Sequence, residues 1–177
     1  MKKFFKYNRV AAIGVLVLTV LLGIFGGVNR TVYSYKNKAE KAFSSSDDSA
    51  ASDLKKYAAF ASQLSSVAKA NGCNTDALDQ SIAALDTDSP FAESGKAVSG
   101  IVSSASVTYN ELAAKKDVDE QQARSAKSYY YEMDSILTRL HNNSDYNKAA
   151  AKYNKAKNSF PANLFTGKQP DAAVFDK

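Results

Sequence analysis

The 177-residue sequence predicts an all-α protein, with one N-terminal transmembrane helix followed by an elongated antiparallel bundle of about four helices. Three observations carry this prediction. Residues 10–28, VAAIGVLVLTVLLGIFGGV, form an uncharged apolar run of 19, which as a helix is about 28 Å long and matches the hydrocarbon thickness of a bilayer. Four of the eight glycines lie inside that run, so four glycines and three prolines are spread over everything after it, and such scarcity permits long helices. Beyond the run, apolar and small residues recur at steps of three and four, and no stretch alternates apolar with polar residues between turn signals as a sheet requires.

The chain opens with a tail, residues 1–9, that carries Lys2, Lys3, Lys6 and Arg9 and no acid. The apolar run at 10–28 then forms a helix, because lipid offers no partner to an unpaired backbone group. It exceeds the apolar core usual in a signal peptide, and cutting after Gly26 or Gly27 would leave bulky Ile24 or Phe25 where a small residue is needed. The only cysteine, Cys73, is far downstream, so there is no lipobox. An uncleaved anchor in the lipid bilayer is expected. The dense basic tail places the N-terminus inside and residues 29–177 outside the cytoplasmic membrane. Gly23 and Gly27 form a small-xxx-small pair able to pack a second anchor, which predicts a homo-oligomer.

No glycine or proline follows Asn29 and Arg30, so the anchor is expected to run on into a bundle over 29–160. Tyr35, Ala39, Ala42, Ser46, Ala50, Leu54, Tyr57, Ala61, Leu64 and Ala68 form one stripe, predicting a single helix of about forty residues closed by Asn71 and Gly72. Thr75 is placed as the cap of a short helix with Ala77, Leu78, Ile82 and Leu85 inward, and Asp86 to Pro90 as the turn after it. A third helix buries Val98, Ile101, Val102, Ala105, Tyr109 and Leu112. A fourth starts near Asp117 to Asp119, buries Tyr130, Met133, Leu137 and Leu140, and runs toward Ser159. The polar stretch His141 to Asp145 predicts a kink within it, with Asn143 or Ser144 capping the portion beyond the kink. Tyr146, Ala149, Tyr153, Ala156 and Phe160 form its last seam, Pro161 ends it, and 161–177 is an extended tail. Seams this rich in Ala and Ser let helix axes approach closely but bury little area, so the bundle is expected to be slender and modestly stable.

That last segment reads YNKAAAKYNKAKNSFPANLF. The pairs Tyr146–Asn147 and Tyr153–Asn154, then Phe160, Pro161, Asn163 and Leu164, with Gly167, Phe175 and Asp176, resemble the closing pattern of the LemA family. The resemblance implies a bacterial protein with one N-terminal transmembrane segment and a helical-bundle domain. Some relatives are linked to shaping bacterial membrane compartments. The family's central A-D-L-I-P-N-L-V stretch aligns with residues 48–59, where Asp53 and Leu54 are kept and Lys56 and Tyr57 replace Pro and Asn; its Glu-Asn-Arg-Ile block has no counterpart in Ile136 to Leu140. The chain therefore resembles a divergent member. At a spacing of seven, both tyrosines share one helix face and both asparagines lie beside it, a placement that suits packing before ligand binding.

Composition disfavours most chemistry. One histidine and one cysteine cannot build a Cys/His zinc cluster or a serine triad of usual composition. His141 reads as a solvated side chain, Cys73 as a free small one with a minor prospect of an intermolecular disulfide, and Asp86, Asp88, Asp47 and Asp48 as capping or solvated carboxylates. Neither a catalytic residue nor a cofactor is expected. Of the 23 Lys and Arg, the four in the tail account for most of the net +5; the remaining 19 against 18 Asp and Glu give no footprint for nucleic acid. Tyr129, Tyr130 and Tyr131 cannot all point inward, so at least one is expected at the surface. The resulting expectation is a non-enzymatic scaffold or adaptor in contact with membrane or envelope proteins; the alternative is an extracytoplasmic ligand-binding or sensory module.

Overall fold

Apolar residues between 11 and 25 stand exposed along one helix, and the same helix then turns Val32, Ala39 and Phe43 into a core. The computed structural model describes residues 2–45, 49–91 and 94–175, with side chains from Ala11 onward. Ser46, Asp47, Asp48 and Asp176, read above from the sequence, lie outside these residues. The described chain is all helix and connection: α1 Lys2–Ser44, α2 Ala50–Ala70, α3 Asp76–Ala83, α4 Ser94–Ala114, α5 Glu120–Asn142, α6 Ser144–Asn158 and α7 Asn163–Thr166. No strand occurs among the described residues. One helix, the 34-residue stretch Ala11–Ser44 of α1, is long and apolar enough to cross a membrane.

The helices form two storeys. In the lower, α1 and α6 run antiparallel: the Phe43 ring meets Tyr146 at 5.3 Å, while Gly23 to Val32 face Ala156 to Ala162. In the upper, α2 and α5 run antiparallel, joined by Asp53 to Arg139 at one end and Asn71 to Gln122 at the other. There α4 completes the bundle with Tyr109 stacked on Tyr130 at 4.6 Å, and short α3 packs against α2 and α4. The close approach of α3 to α4 needs Gly100, because a Cβ there would lie 2.8 Å from Ser81 Oγ.

The expected forty-residue helix is instead two helices, since α1 ends at Ser44 and α2 starts at Ala50. Ser44 Oγ donates to the Glu40 carbonyl, and Ser49 caps α2 by accepting from Ser52 N at 3.3 Å, so hydroxyls compete with the helical ladder at the break. The stripe nonetheless survives it, with Ala39, Ala50, Leu54, Tyr57, Ala61, Leu64 and Ala68 all buried. The last helix likewise divides at Asn143, whose side chain accepts from Tyr146 N. Both breaks lie at one level, where Ser45, Ser49, Asp53, Arg139, Asn142, Asn143 and Asp145 ring a polar depression of about 580 Å³ across the junction. Thr75 occupies the N-cap position of α3 but donates to Asp79 Oδ2 instead; Asn74 Oδ1 accepts from Asp76 N in its place. Ala77 and Val102 are exposed rather than inward, because α3 and α4 each bury a narrower stripe than expected. Asp86 closes its own turn by accepting from Asp88 N and Ser89 N, and Asp88 pairs with Lys55 at 2.8 Å; neither caps a helix.

Other local signals behave as expected. Gly72, at φ +70°, is the left-handed residue of a Schellman close, with Cys73 N donating to Ala68 O and Gly72 N to Lys69 O. Lys115 Nζ then donates to the carbonyl of Asn71 at 2.7 Å, a cation set on the negative end of α2. Asp119 caps α5 through Gln121 N and Gln122 N.

The Asp53 to Arg139 pair ties α2 to α5 at the junction: the Asp53 side chain is 5% exposed and its Oδ1 accepts from Arg139 Nε at 3.1 Å and Nη2 at 2.9 Å. Arg139→Ala strands that carboxylate, and chemical unfolding in detergent micelles should show a loss of about 2 kcal/mol. Asp53→Asn, which keeps an acceptor and strands no charge, should lose clearly less.

Candidate functional site

The YN repeat lies on α6, which buries Tyr146, Ala150, Tyr153 and Lys157. This seam replaces the predicted Tyr146, Ala149, Tyr153, Ala156 and Phe160. Ala149 and Ala156 are only partly buried, and Phe160 is 81% exposed. The shift has a cause: α6 is covered by α1 on one side and by the C-terminal residues 169–175 on another, so the buried face is wider than a single seam.

Those C-terminal residues have no regular secondary structure from Pro170 to Phe175 and run back along α6. Each asparagine grips the N–H and the carbonyl of one residue. Asn154 Nδ2 donates to Ala172 O and its Oδ1 accepts from Ala172 N, both at 2.8 Å. Asn147 repeats the arrangement on Phe175, donating to its carbonyl at 3.2 Å and accepting from its N–H at 2.9 Å. Asn147 also donates to Leu140 O and His141 O, which bridges the break between α5 and α6. The tyrosines repeat the rule two residues earlier in the tail, Tyr146 Oη donating to Ala173 O and Tyr153 Oη to Pro170 O. Seven residues of helix rise about 10.5 Å, and three residues of extended chain cover about 10 Å. The repeat of seven therefore reads the tail in steps of three.

The strap has further fastenings. Lys157, whose side chain is 4% exposed, donates to Gln169 O at 2.8 Å and pairs with Asp171 at 2.9 Å. This pairing holds the Asp171 carboxyl below its ordinary value. Its contribution is thus full above the unfolded carboxylate value and fades as pH falls through the lowered one. Ala173 N donates to Pro90 O at 2.8 Å, and the Phe91 ring meets Tyr153 at 5.2 Å, so the strap lies between α6 and the turn joining α3 to α4. Burial pushes the Tyr146 and Tyr153 phenols up, keeping both as donors across the physiological range.

Below the strap, Pro161 follows α6 across a cis Phe160–Pro161 bond, and the predicted extended tail contains α7. Thr166 Oγ1 donates to the carbonyls of Lys157 and Ala162, pinning α7 under α6. At Gly167 a Cβ would lie 2.5 Å from the Asn163 carbonyl, so no side chain fits. Asn163 and Leu164 are exposed. Gly23 and Gly27 face Phe160 and Pro161 across a groove of about 560 Å³, with nothing within 4 Å of where either Cβ would be.

Elsewhere, Cys73 is buried with its thiol pushed up mainly by that burial, which corrects any expectation of an accessible intermolecular thiol. His141 is half-buried in the last turn of α5. Tyr131 is 58% exposed, as the crowding of three tyrosines requires. Among the described residues no three His, Cys, Asp or Glu side chains gather as a metal site, and every buried side-chain N or O atom has a hydrogen-bond partner. Lys157, Asp171 and Arg139 are not singled out by sequence pattern alone; the one local signal is that Lys157 sits four residues after Tyr153, on its face. Comparison with family models, curated proteins and solved structures returns no match to this chain.

Asn154→Ala should raise amide exchange at Ala172, and Asn147→Ala at Phe175, by about tenfold or more, since each removes paired bonds worth about 1–1.5 kcal/mol apiece. Residue-resolved hydrogen exchange on the full chain checks this.

Proposed function

We propose that this chain is a divergent LemA-type bacterial membrane protein. It acts as a non-enzymatic scaffold, holding a helical bundle on the outer side of the cytoplasmic membrane for contact with membrane or envelope proteins. The observation that carries the proposal is the continuity of α1. Its apolar residues are fully exposed from Ala11 to Phe25 and its apolar residues from Val32 onward supply core, within one unbroken 43-residue helix. An exposed apolar cylinder of that length needs lipid, and an unbroken helix transmits the orientation of the anchor to the bundle. The family resemblance of the YN and FP residues supports the same reading, since those residues form one connected strap. The flank offered to partners carries Val107, 66% exposed, and Tyr131 with Lys127 over its ring at 5.8 Å. Aromatic residues of this kind are favoured in protein contacts.

A ligand-binding role is favoured by one observation, the polar depression at the junction, whose volume suits a small molecule. A reproducible ligand-induced rise in the melting temperature of the full chain would support it.

Buried Cys73 is a poor reporter of sidedness, so the test uses exposed Asn110→Cys in a Cys73→Ala background. Membrane-impermeant maleimide should label it in intact cells. A photo-crosslinker at Tyr131 should then capture the same envelope protein in repeated experiments. Labelling only after permeabilisation would reverse the topology, and an absence of any reproducible crosslink would remove the scaffold reading.

A further inference from the structure

We infer that the elbow between α6 and α7, residues 159–167, is a second membrane-embedded element, a wedge whose Phe160, Leu164 and Phe165 side chains enter the outer acyl-chain region beside the anchor. The inference rests on the reading of residues 10–28 as the span.

Depth along α1 carries it. Phe165 packs edge-on against Phe25 with ring centroids 4.9 Å apart. Phe25 lies three residues inside the end of the apolar run, about 5 Å below its boundary. Phe160 and Pro161 face Gly23, Ile24 and Gly27, a comparable or greater depth. The chain then rises again, for Thr166 and Gln169 lie against Asn29, Arg30, Tyr33 and Lys36, which are the first polar turns above the run. A bilayer that covers residues 10–28 must therefore also meet the elbow.

The chemistry of the elbow fits that solvent. Phe160, Leu164 and Phe165 are 81%, 67% and 48% exposed, the largest cluster of exposed apolar side chains described outside α1. Residues 159–167, SFPANLFTG, contain no charge and are bounded by Lys157 and Lys168, with exposed Lys152 and Lys155 on the preceding turns. An uncharged aromatic segment flanked by lysines is the pattern of an interfacial anchor. The backbone at this depth is also provided for: Asn163 N donates to Ser159 O, Leu164 N to Pro161 O, Phe165 N and Thr166 N to Ala162 O, and Gly167 N to Asn163 O. Internal satisfaction of this kind is what lipid demands. The exposed face is continuous with the apolar surface of the anchor, so lipid is the occupant.

The test uses the full chain in bilayer nanodiscs of phosphatidylcholine and phosphatidylglycerol, in a Cys73→Ala background. An environment-sensitive fluorophore is placed at Phe160→Cys or Leu164→Cys, with Leu18→Cys marking the span and Tyr131→Cys the upper bundle. Each labelled position is exposed, so the fold is not challenged. The elbow labels should lose fluorescence to a nitroxide on the lipid acyl chain to the extent seen at Leu18, and should resist aqueous iodide, while Tyr131 behaves in the opposite way. Iodide quenching of the elbow equal to that at Tyr131, with Leu18 still quenched by lipid, overturns the wedge alone. Protection from both quenchers overturns it too, because a second copy rather than lipid would then cover the face. Failure of the lipid nitroxide at Leu18 overturns the span reading and the wedge with it.

Discussion

The carboxamides of Asn147 and Asn154 hold the lower half of this molecule together by imitating a peptide group. An asparagine side chain offers one carbonyl and one NH₂ in the geometry that a neighbouring strand would offer. A chain segment with no ladder partner leaves its own N–H and C=O groups to be satisfied some other way. Here Ala172 and Phe175 each bond with an asparagine in both senses. Alanine or leucine in place of those asparagines would keep α6 helical and would leave the strap with nothing to pair against. The strap in turn touches Pro90 of the upper storey and, through Gln169, Lys157 and Thr166, sets where α7 lies under α6.

The second constraint is geometric. Two helical rods, α1 with α2 and α5 with α6, break at the same level, and the pair Asp53 to Arg139 spans the rods just above that junction. Small residues make the approach of the rods close, with Ala39, Ala50, Ala61, Ala68, Ala126 and Ala150 all buried. Such seams contribute little apolar area each, so aromatic rings supply most of the bulk where the storeys meet: Phe43, Tyr146 and Phe175 in one group, Phe91 and Tyr153 in another. The membrane orders all of this from below. An anchor that continues into the core fixes the height of the elbow and therefore which side chains meet lipid and which meet headgroups.

The helical class, the apolar N-terminal helix and most helix ends were legible because each has a local cause. Gly72 is left-handed, Asp119 and Asn143 are caps, and Pro161 follows the end of a helix. The break between Ser44 and Ala50 was not legible from periodicity, because the buried stripe keeps its phase across it; only the serine-rich composition marked it. Phe160 was assigned inward on the phase of α6, but its seat depends on where the elbow stands relative to the anchor, and that is long-range information. The asparagines were read as polar partners across a bundle. Their match to a three-residue period in the tail could not be drawn before the tail was known to run back along α6. Lys157 and Asp171 were unread for the same reason, since a reversal of the chain brings them together.

The ruler of seven against three is tested most directly by inserting one glycine between Ala172 and Ala173 in the full chain and measuring amide exchange on either side. If the asparagines set the register, the insertion makes the two grips incompatible. Either Ala172 or Phe175 should then lose its protection while the other keeps it. Full protection at both amides would show that the strap is held by something other than the spacing of Asn147 and Asn154.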